Sequence, residues 1–407
     1  MDAHRLSRRD ALRAGGGFLG AVGALALTAR TARAEPWTWS PSNSVVGSGG
    51  GADPLTMFDP EADPVLADVI DHADVGEVNR LLATWTRNGQ PLPDGLPSGL
   101  KDFIENARQL PSWADQGKLA SSFEFNKKRG LYLGVLYAFA SGMMSTVIPH
   151  EALAVYYSRG GSHLKERIAK TAKFGYDIGT VNAYADDGEM IVTCVKTRII
   201  HASVRHLLPQ SPHWPAGVTP ISQDDIMVTW HSLATTIMRT LNAWRVPIPA
   251  AESDGYLHSW QLAGHLLGVR DEYLPATWDQ AESQASQMLD PILAPTMEGK
   301  DLANQLLNLG EDLDLTLLSR GILGAFTRFV MGDKVADWLD IPREIVWSPL
   351  LETAWGPFVA VREGVLSIAP VVDAPYWMFD EFLRQFAMWY LAELRMPVSI
   401  EIPLTNR

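Results

Sequence analysis

Five polar side chains with different chemistry lie between positions 151 and 201, on segments that otherwise have the pattern of apolar helices. They are Glu151, Arg167, Lys170, Thr171 and His201. A carboxylate, two cations, a hydroxyl and an imidazole are poor core residues, because each loses its hydration on burial. Brought together inside a helical body, they could hold a metal macrocycle and move a proton beside it.

His201 is the first candidate for a metal ligand. Its neighbours on the same helical face include Arg198 and Arg205, and His206 follows on the same segment. Positive charges around an imidazole suit a haem, whose propionates need cations while its iron takes an axial nitrogen. The alternative is a core histidine whose ring nitrogens are satisfied by neighbouring groups. Cys194 is a second candidate ligand on this segment, although a cysteine in apolar surroundings is more often inert.

Arg167, Lys170 and Thr171 have the spacing i, i+3 and i+4, which places them on one face of a helix. They can therefore act as a unit that presents two cations and a hydroxyl to a bound group. The alternative is a solvated amphipathic face, in which the same charges have no ligand.

Glu151 follows a proline at the end of an apolar segment. Desolvation in such a place raises the pKa of a carboxyl group, which would prepare Glu151 for proton transfer near neutral pH. The alternative is an acidic residue in the first turn of a helix, where it stabilises the helix N-terminus.

His258 and His265 are seven residues apart, with Asp271 and Glu272 nearby, and suggest a non-haem metal site. The chain contains no His-Glu-x-x-His, no Glu-x-x-His and no Cys-x-x-Cys-His motif. Zincin, di-iron and covalent haem sites are therefore disfavoured.

The N-terminus has the three parts of an export signal. Residues 7–12 form a twin-arginine box, residues 14–29 are rich in Gly, Ala and Leu, and residues 32–34 read Ala-Arg-Ala, a cleavage site. Residues 1–34 are therefore predicted to be a twin-arginine signal peptide, and the mature protein to be secreted and extracellular. The alternative is a basic, disordered N-terminus that contains Arg-Arg by chance.

Composition limits the class of protein and its partners. The 407 residues carry a formal net charge of −13 at pH 7, which argues against nucleic acid and anionic membranes as partners. The single cysteine excludes an internal disulfide framework, so that stability must come from a core, for which 46% hydrophobic residues suffice. No later segment reads as about 20 uninterrupted apolar residues, so we expect no membrane insertion after signal removal.

The rest of the chain has mostly helical periodicity. Residues 35–56 are rich in Pro, Ser and Gly and are predicted to form a tether. Helices are predicted at 63–86, 101–113, 121–147, 162–175, 178–185, 189–208, 223–244, 254–269, 278–293, 299–308, 315–331 and 380–395. Strand-like runs are confined to 358–361 and 366–370. We therefore predict an all-α protein with minor β extras, in which residues 57–407 form a single helical domain.

Four motifs resemble those of the latex-clearing proteins, a family of secreted actinobacterial rubber oxygenases. They are Pro-His-Glu-Ala at 149–152, Arg-Ile-Ala-Lys-Thr at 167–171, Ile-Ile-His-Ala-Ser-Val-Arg-His at 199–206 and the twin-arginine leader. Two later segments, 260–269 and 320–339, resemble the wider oxygenase superfamily. The likeness covers nearly the whole mature chain.

The resemblance implies a helical, globin-like core that binds one non-covalent haem b. It implies that His201 is the proximal iron ligand and that Lys170 is the distal ligand, bound in a closed state and released in an open one. Arg167 and Thr171 would support the haem pocket, and Glu151 would be the base that takes an allylic proton. The implied reaction is cleavage of the double bonds of cis-1,4-polyisoprene by O2, which gives oligomers with one aldehyde and one ketone end.

The implied partners are a hydrophobic polymer and O2, and we expect the protein to be a monomer. Because the polymer is uncharged, it can be bound only through apolar contacts, for which the helix at 131–147 is a suitable tunnel wall. Two other functions stay open. One is a related haem oxygenase that acts on a small isoprenoid or phenolic substrate, and the other is a haem-binding or sensing protein without turnover.

Overall fold

Helices account for every regular element that the computed structural model describes. The described residues are 53–157, 164–212, 214–311, 319–368, 380 and 400–403, and the side chains of 164–169, 309–311 and 366–368 are left out. Within this part of the chain no residue is in a β-strand, so the predicted all-α fold is confirmed. The predicted signal peptide and most of the predicted tether lie outside the described residues. The single domain predicted for 57–407 stays a prediction.

The described residues form fifteen α-helices. In chain order they are α1 (Asp63–His72), α2 (Val75–Thr84), α3 (Ser98–Ala107), α4 (Gln116–Leu136), α5 (Pro149–Tyr157), α6 (Leu164–Asp177), α7 (Met190–Leu207), α8 (Gln223–Trp230), α9 (Thr236–Ala243), α10 (Ala250–Leu266), α11 (Trp278–Met288), α12 (Met297–Glu311), α13 (Arg320–Met331), α14 (Asp333–Trp338) and α15 (Trp347–Ile368). Two π-helical segments, Tyr137–Gly142 and His231–Thr235, extend α4 and join α8 to α9.

Helices α1 and α2 occupy the stretch that was predicted as one helix, 63–86. Asp74 separates them, because its carboxylate accepts a hydrogen bond from the N–H of Glu77 and caps α2. The prediction is wrong at this point because the apolar periodicity continues across the cap. Helix α1 packs against α7, the helix that carries His201.

The central pair of helices is α4 and α10, which contact each other along much of their lengths. Gly255 permits their close approach, since a Cβ at this position would lie 2.5 Å from the backbone oxygen of Lys118. Phe125 of α4 stacks on Tyr256 of α10, with ring centroids 4.2 Å apart. Helix α10 also contacts α7 and α8, so this pair supports the helices of the candidate site.

Helix α4 and the turns that follow it form one long apolar stretch. By length and composition alone, Gln116–Val147 could cross a membrane, and it is the one such stretch among the described residues. The expectation that no later segment has this length and apolarity is therefore wrong. Leu136, Ala140 and Val147 are nevertheless fully buried against neighbouring helices, as in the core helix of a folded domain.

Residues 178–185 form successive turns where a helix was predicted. The N–H of Ala183 bonds to the carbonyl of Thr180, and the N–H of Ala185 bonds to that of Asn182. Gly179 and Asn182 favour this local conformation, and their effect outweighs the apolar periodicity.

The strand-like run 358–361 is part of helix α15, as are residues 366–368 of the second run. Val359 and Arg362 are buried, whereas Phe358 and Val361 are exposed. Burial thus repeats every three residues and does not alternate, which is the helical pattern. The predicted β extras are wrong for these residues. Residues 369–370 lie outside the described part of the chain, as does the predicted helix 380–395 except Asp380, which is helical.

The other predicted helices are present with shifted ends. Helix α7 matches the prediction 189–208 to within one residue at each end. The predicted helix 223–244 corresponds to α8, the π-helical segment and α9, which run on without a break. Long, strongly periodic segments were therefore the ones predicted best.

Candidate functional site

Three consecutive helices, α5, α6 and α7, carry the predicted site residues. Pro149 is the first residue of α5, a position where no N–H is needed, and Glu151 follows in the first turn. The Glu151 side chain is half-buried. This position is compatible with both interpretations of Glu151, because the carboxylate lies at a helix N-terminus and is also partly removed from water.

Helix α6 carries Arg167, Lys170 and Thr171 and packs against α7, which carries His201. Lys170 is half-buried and Thr171 is exposed, so this face of α6 is partly open. The side chain of Arg167 lies outside the described part of the chain. The structure thus brings the helix of the two cations beside the helix of the imidazole.

An ion-pair cluster fixes α6 to α7 beyond Lys170. The Nζ atom of Lys173 donates to Asp177 Oδ2 at 2.6 Å and to Glu189 Oε2 at 2.8 Å. The hydroxyl of Thr193 donates to the same Asp177 oxygen at 2.5 Å. Burial works against the charge of Lys173, but the two carboxylates outweigh it and raise the pKa of Lys173 above its ordinary value. The cluster therefore holds the C-terminal half of α6 in place by charged hydrogen bonds.

His201 is half-buried, but its Nδ1 atom is buried and has no hydrogen-bond partner among the described residues. Burial, and then the positive charge of Arg205, lower the pKa of His201 to about 3. The imidazole is therefore neutral near pH 7 and has a lone pair for a metal. A buried polar atom without a partner destabilises the fold, so its presence favours ligation over the alternative of a satisfied core histidine.

Three basic residues near His201 on α7 have carboxylate partners. The pairs, with their donor–acceptor distances, are Arg198–Asp59 at 2.6 Å, Arg205–Asp63 at 2.7 Å and His206–Asp71 at 2.9 Å. Burial works against the charge of Asp59, but Arg198 outweighs it and holds the pKa of Asp59 below its ordinary value. The expectation that the basic residues of α7 face haem propionates stays a prediction, because their carboxylate partners here are protein side chains. These pairs tie α7 to α1 and to the residues just before it.

A second polar cluster joins α5 to α8, and sequence reasoning missed it. The hydroxyl of Thr229 donates to Glu151 Oε1. One turn earlier on α8, Asp225 Oδ1 lies 2.9 Å from His150 Nδ1. The other oxygen of Asp225 accepts hydrogen bonds from the N–H and hydroxyl of Ser222, at 2.8 and 2.9 Å. Consecutive residues of α5 thus bind residues one turn apart on α8.

The start of this cluster has a signal in the sequence. Ser222 and Asp225 form a capping box at the N-terminus of α8, and the pattern Ser-x-x-Asp predicts such a cap. Nothing in the pattern predicts that the capping carboxylate also binds α5, because the two partners are 75 positions apart.

The alternative candidates for metal ligands are either buried or hydrogen-bonded to protein groups. Cys194 is fully buried, and burial raises the pKa of its thiol well above the ordinary value, which supports the inert interpretation. His265 Nδ1 lies 2.6 Å from Asp271 Oδ1, and His258 Nε2 accepts a hydrogen bond from the N–H of Asp115 at 2.9 Å. In the described part of the chain, no three His, Cys, Asp or Glu side chains group as metal ligands.

Comparisons with known proteins agree with the resemblance found in the motifs. The model of a family described as "ER-bound oxygenase mpaB/B'/Rubber oxygenase, catalytic domain" matches residues 128–362, which include all five predicted site residues. A rubber oxygenase from Streptomyces sp. (strain K30) is 52% identical over an alignment of 405 positions, which covers 98% of this chain and 98% of that one. A solved structure of latex clearing protein in the closed state matches with a TM-score of 0.80 and 52% identity, over 90% of this chain and 99% of that one. The motif-based resemblance is confirmed, and the chain belongs to the rubber oxygenase family.

Proposed function

We propose that this protein is an oxygenase that cleaves the double bonds of cis-1,4-polyisoprene with O2. The observation that carries the proposal is the end-to-end similarity to a rubber oxygenase. One O2 supplies both oxygen atoms of each cut: the methyl-bearing carbon becomes a ketone, and the carbon with one hydrogen becomes an aldehyde. Because every atom of the polymer and of O2 is found in the two products, the reaction consumes no external reductant.

Haem b is the proposed cofactor, with His201 as the proximal ligand. A neutral imidazole whose buried Nδ1 has no partner among the described residues supports this role. Lys170 is the proposed distal ligand of a closed state, and Arg167 and Thr171 are the proposed pocket residues. When bound, haem supplies the activation of O2, a chemistry that amino-acid side chains lack.

The polymer is proposed to lie along the segment 131–147. Polyisoprene has no polar group, so apolar contact is its sole source of affinity. Leu131, Val135 and Phe139 are half-buried and follow one another at four-residue spacing, which gives an apolar stripe that is partly open.

Glu151 is the proposed base, which takes an allylic proton from the polymer. The products keep every hydrogen of the substrate, so this proton must return before the cycle ends. The carboxyl group of Glu151 must therefore be stable both as a carboxylate and as an acid within one turnover. Its place in the first turn of α5 favours the carboxylate at rest.

Residues 1–34 are proposed to direct export by the twin-arginine route, after which the mature chain acts outside the cell as a monomer. The leader motif supports export. Replacement of Arg8 and Arg9 by lysine should leave the protein in the cell. Light scattering of the exported protein should give the mass of one mature chain.

Incubation of the purified protein with polyisoprene latex under O2, followed by mass analysis of the products, tests the proposed activity. We expect a series of oligomers that differ by one isoprene unit, each with an aldehyde and a ketone end. Soluble terpenes and phenolic compounds are the comparison substrates, and cleavage of these alone would favour the small-molecule oxygenase. No O2 consumption with any substrate would contradict the proposal and favour a binding or sensing protein.

A further inference from the structure

Thr229 lies near the C-terminal end of α8, half-buried beside the proposed base. Its hydroxyl donates to Glu151 Oε1 and also lies 3.1 Å from the backbone oxygen of Asp225, four residues earlier on the same helix. A hydroxyl group has one hydrogen, so it can serve one of these two acceptors at a time. It also has lone pairs that can accept a hydrogen bond from a protonated carboxyl group.

The surroundings of Thr229 hold its backbone in place. The hydroxyl of Ser232 donates to the backbone oxygen of Thr229 at 2.8 Å, and Ser141 donates to the backbone oxygen of Ser232 at the same distance. One turn earlier, the pair of Asp225 and His150 fixes α8 to the start of α5. The backbone is thus anchored on both sides, while the Thr229 hydroxyl hydrogen can still rotate.

We propose that Thr229 is a positioning residue for Glu151 that serves both protonation states of the base. When Glu151 is a carboxylate, the Thr229 hydroxyl donates to Oε1. When Glu151 has taken a proton from the substrate, its O–H donates to Thr229 Oγ1, and the threonine hydrogen turns to the backbone oxygen of Asp225. The threonine keeps its own proton throughout, and the proton on Glu151 stays where it can return to the product.

This inference rests on the proposed function, because cleavage of polyisoprene is the reaction that needs a proton to be taken and returned. The proposed role requires a hydroxyl group at position 229 and depends little on the rest of the side chain. Valine has the shape of threonine without the hydroxyl, and serine has the hydroxyl without the methyl group. The two substitutions therefore separate hydrogen bonding from packing.

The test uses the full-length, exported protein and O2 consumption at saturating polyisoprene emulsion. We expect Thr229→Val to lower kcat about tenfold or more, as for loss of a hydrogen bond to a charged group, with KM for O2 unchanged. Thr229→Ser should retain kcat within about twofold. Thr240→Val is the matched control, since Thr240 is also half-buried and also donates to the backbone oxygen four residues earlier, at 2.8 Å. It should leave kcat unchanged.

A double variant separates action through Glu151 from a general structural effect. If Thr229 acts through the base, Thr229→Val should add no further loss in a Glu151→Gln background, because coupled residues are not additive. Three results would overturn this inference and leave the proposed function intact. They are a Thr229→Val protein with the wild-type rate, an equal loss of rate from Thr229→Val in the wild-type and Glu151→Gln backgrounds, and a Thr229→Ser protein as slow as Thr229→Val. If Thr229→Val does not fold, Thr229→Ala carries the same comparison. Wild-type protein that leaves polyisoprene uncleaved overturns the proposed function and this inference with it.

Discussion

Two histidines of this chain have the same change in pKa and opposite surroundings. Burial lowers the pKa of both His201 and His231 to about 3, so both rings are neutral. His231 Nε2 donates to Gln284 Oε1 at 2.9 Å, an assignment fixed because the Gln284 amide nitrogen donates to the backbone oxygen of Tyr273. His231 Nδ1 accepts from the Thr235 hydroxyl at 2.8 Å. His201 Nδ1 has no such partner in the described part of the chain.

The difference shows how a structural histidine can be told from a candidate ligand. Burial alone does not distinguish them, since it affects both rings. The hydrogen-bond partners do distinguish them. His231 bonds to Gln284 of α11 through Nε2 and to Thr235 of its own π-helical segment through Nδ1, whereas the buried Nδ1 of His201 has no partner among the described residues. We infer that substitution of His231 affects stability and that substitution of His201 affects function.

The largest expected effect is that of His201→Ala. Loss of the proposed axial ligand should remove haem and abolish cleavage of polyisoprene, while the protein remains folded. The Soret absorption and O2 uptake on latex measure the two losses. A His201→Ala protein with the wild-type spectrum and rate would remove His201 from the site.

Arg198→Met tests the ion pairs between α7 and the residues around the start of α1. The substitution leaves the Asp59 carboxylate buried without its main partner, since both side chains are less than a tenth exposed. We expect the free energy of unfolding to fall by about 3–5 kcal/mol. Urea denaturation measures this free energy, and a change below about 1 kcal/mol would show that Arg205, whose Nη2 lies 3.9 Å from Asp59 Oδ2, compensates for the lost cation.

His231→Phe should have a smaller effect, on stability alone. It leaves the Gln284 amide oxygen and the Thr235 hydroxyl in the core without their partner, at a cost of about 2–3 kcal/mol. The haem spectrum of the folded variant should equal that of the wild type. Loss of haem from this variant, at a temperature where it is folded, would contradict the distinction between the two histidines.

The smallest effect is a difference in pH dependence. The pKa of His231 in the folded protein is about 3, below its ordinary value of 6.5, so the unfolded chain binds a proton that the folded chain excludes as pH falls below 6.5. Stability from this group is therefore complete above pH 6.5 and declines toward pH 3. Between pH 6 and pH 5 the wild type should lose about 1 kcal/mol more than His231→Phe. Parallel pH profiles of the two proteins in urea titrations would contradict this.

Much of the fold was predictable because apolar residues repeat at helical spacing over long segments, as in α7. The errors have local physical causes. Asp74 caps α2 inside a periodic stretch, Gly179 and Asn182 favour turns, and β-branched residues of α15 follow a helical burial pattern. In each case one or two residues, or the packing of the segment, determine a conformation that differs from the one its overall residue pattern predicts.

For the candidate site residues, the sequence predicted helices for some but not the side chains with which they pair. Lys170 and His201 lie on helices that were predicted, whereas the helix of Glu151, α5, is absent from the predicted helices. The carboxylates that pair with α7 and the hydroxyl that binds Glu151 were missed, because the contacts span 139 positions for Arg198 with Asp59 and 78 for Thr229 with Glu151. Such contacts depend on how helices pack, which periodicity does not specify.

The most direct test of the central claim is the absorption spectrum and iron content of the purified, exported protein. The account predicts a Soret band and one haem b per chain, both absent from His201→Ala. A colourless, iron-free protein that still cleaves polyisoprene would contradict it.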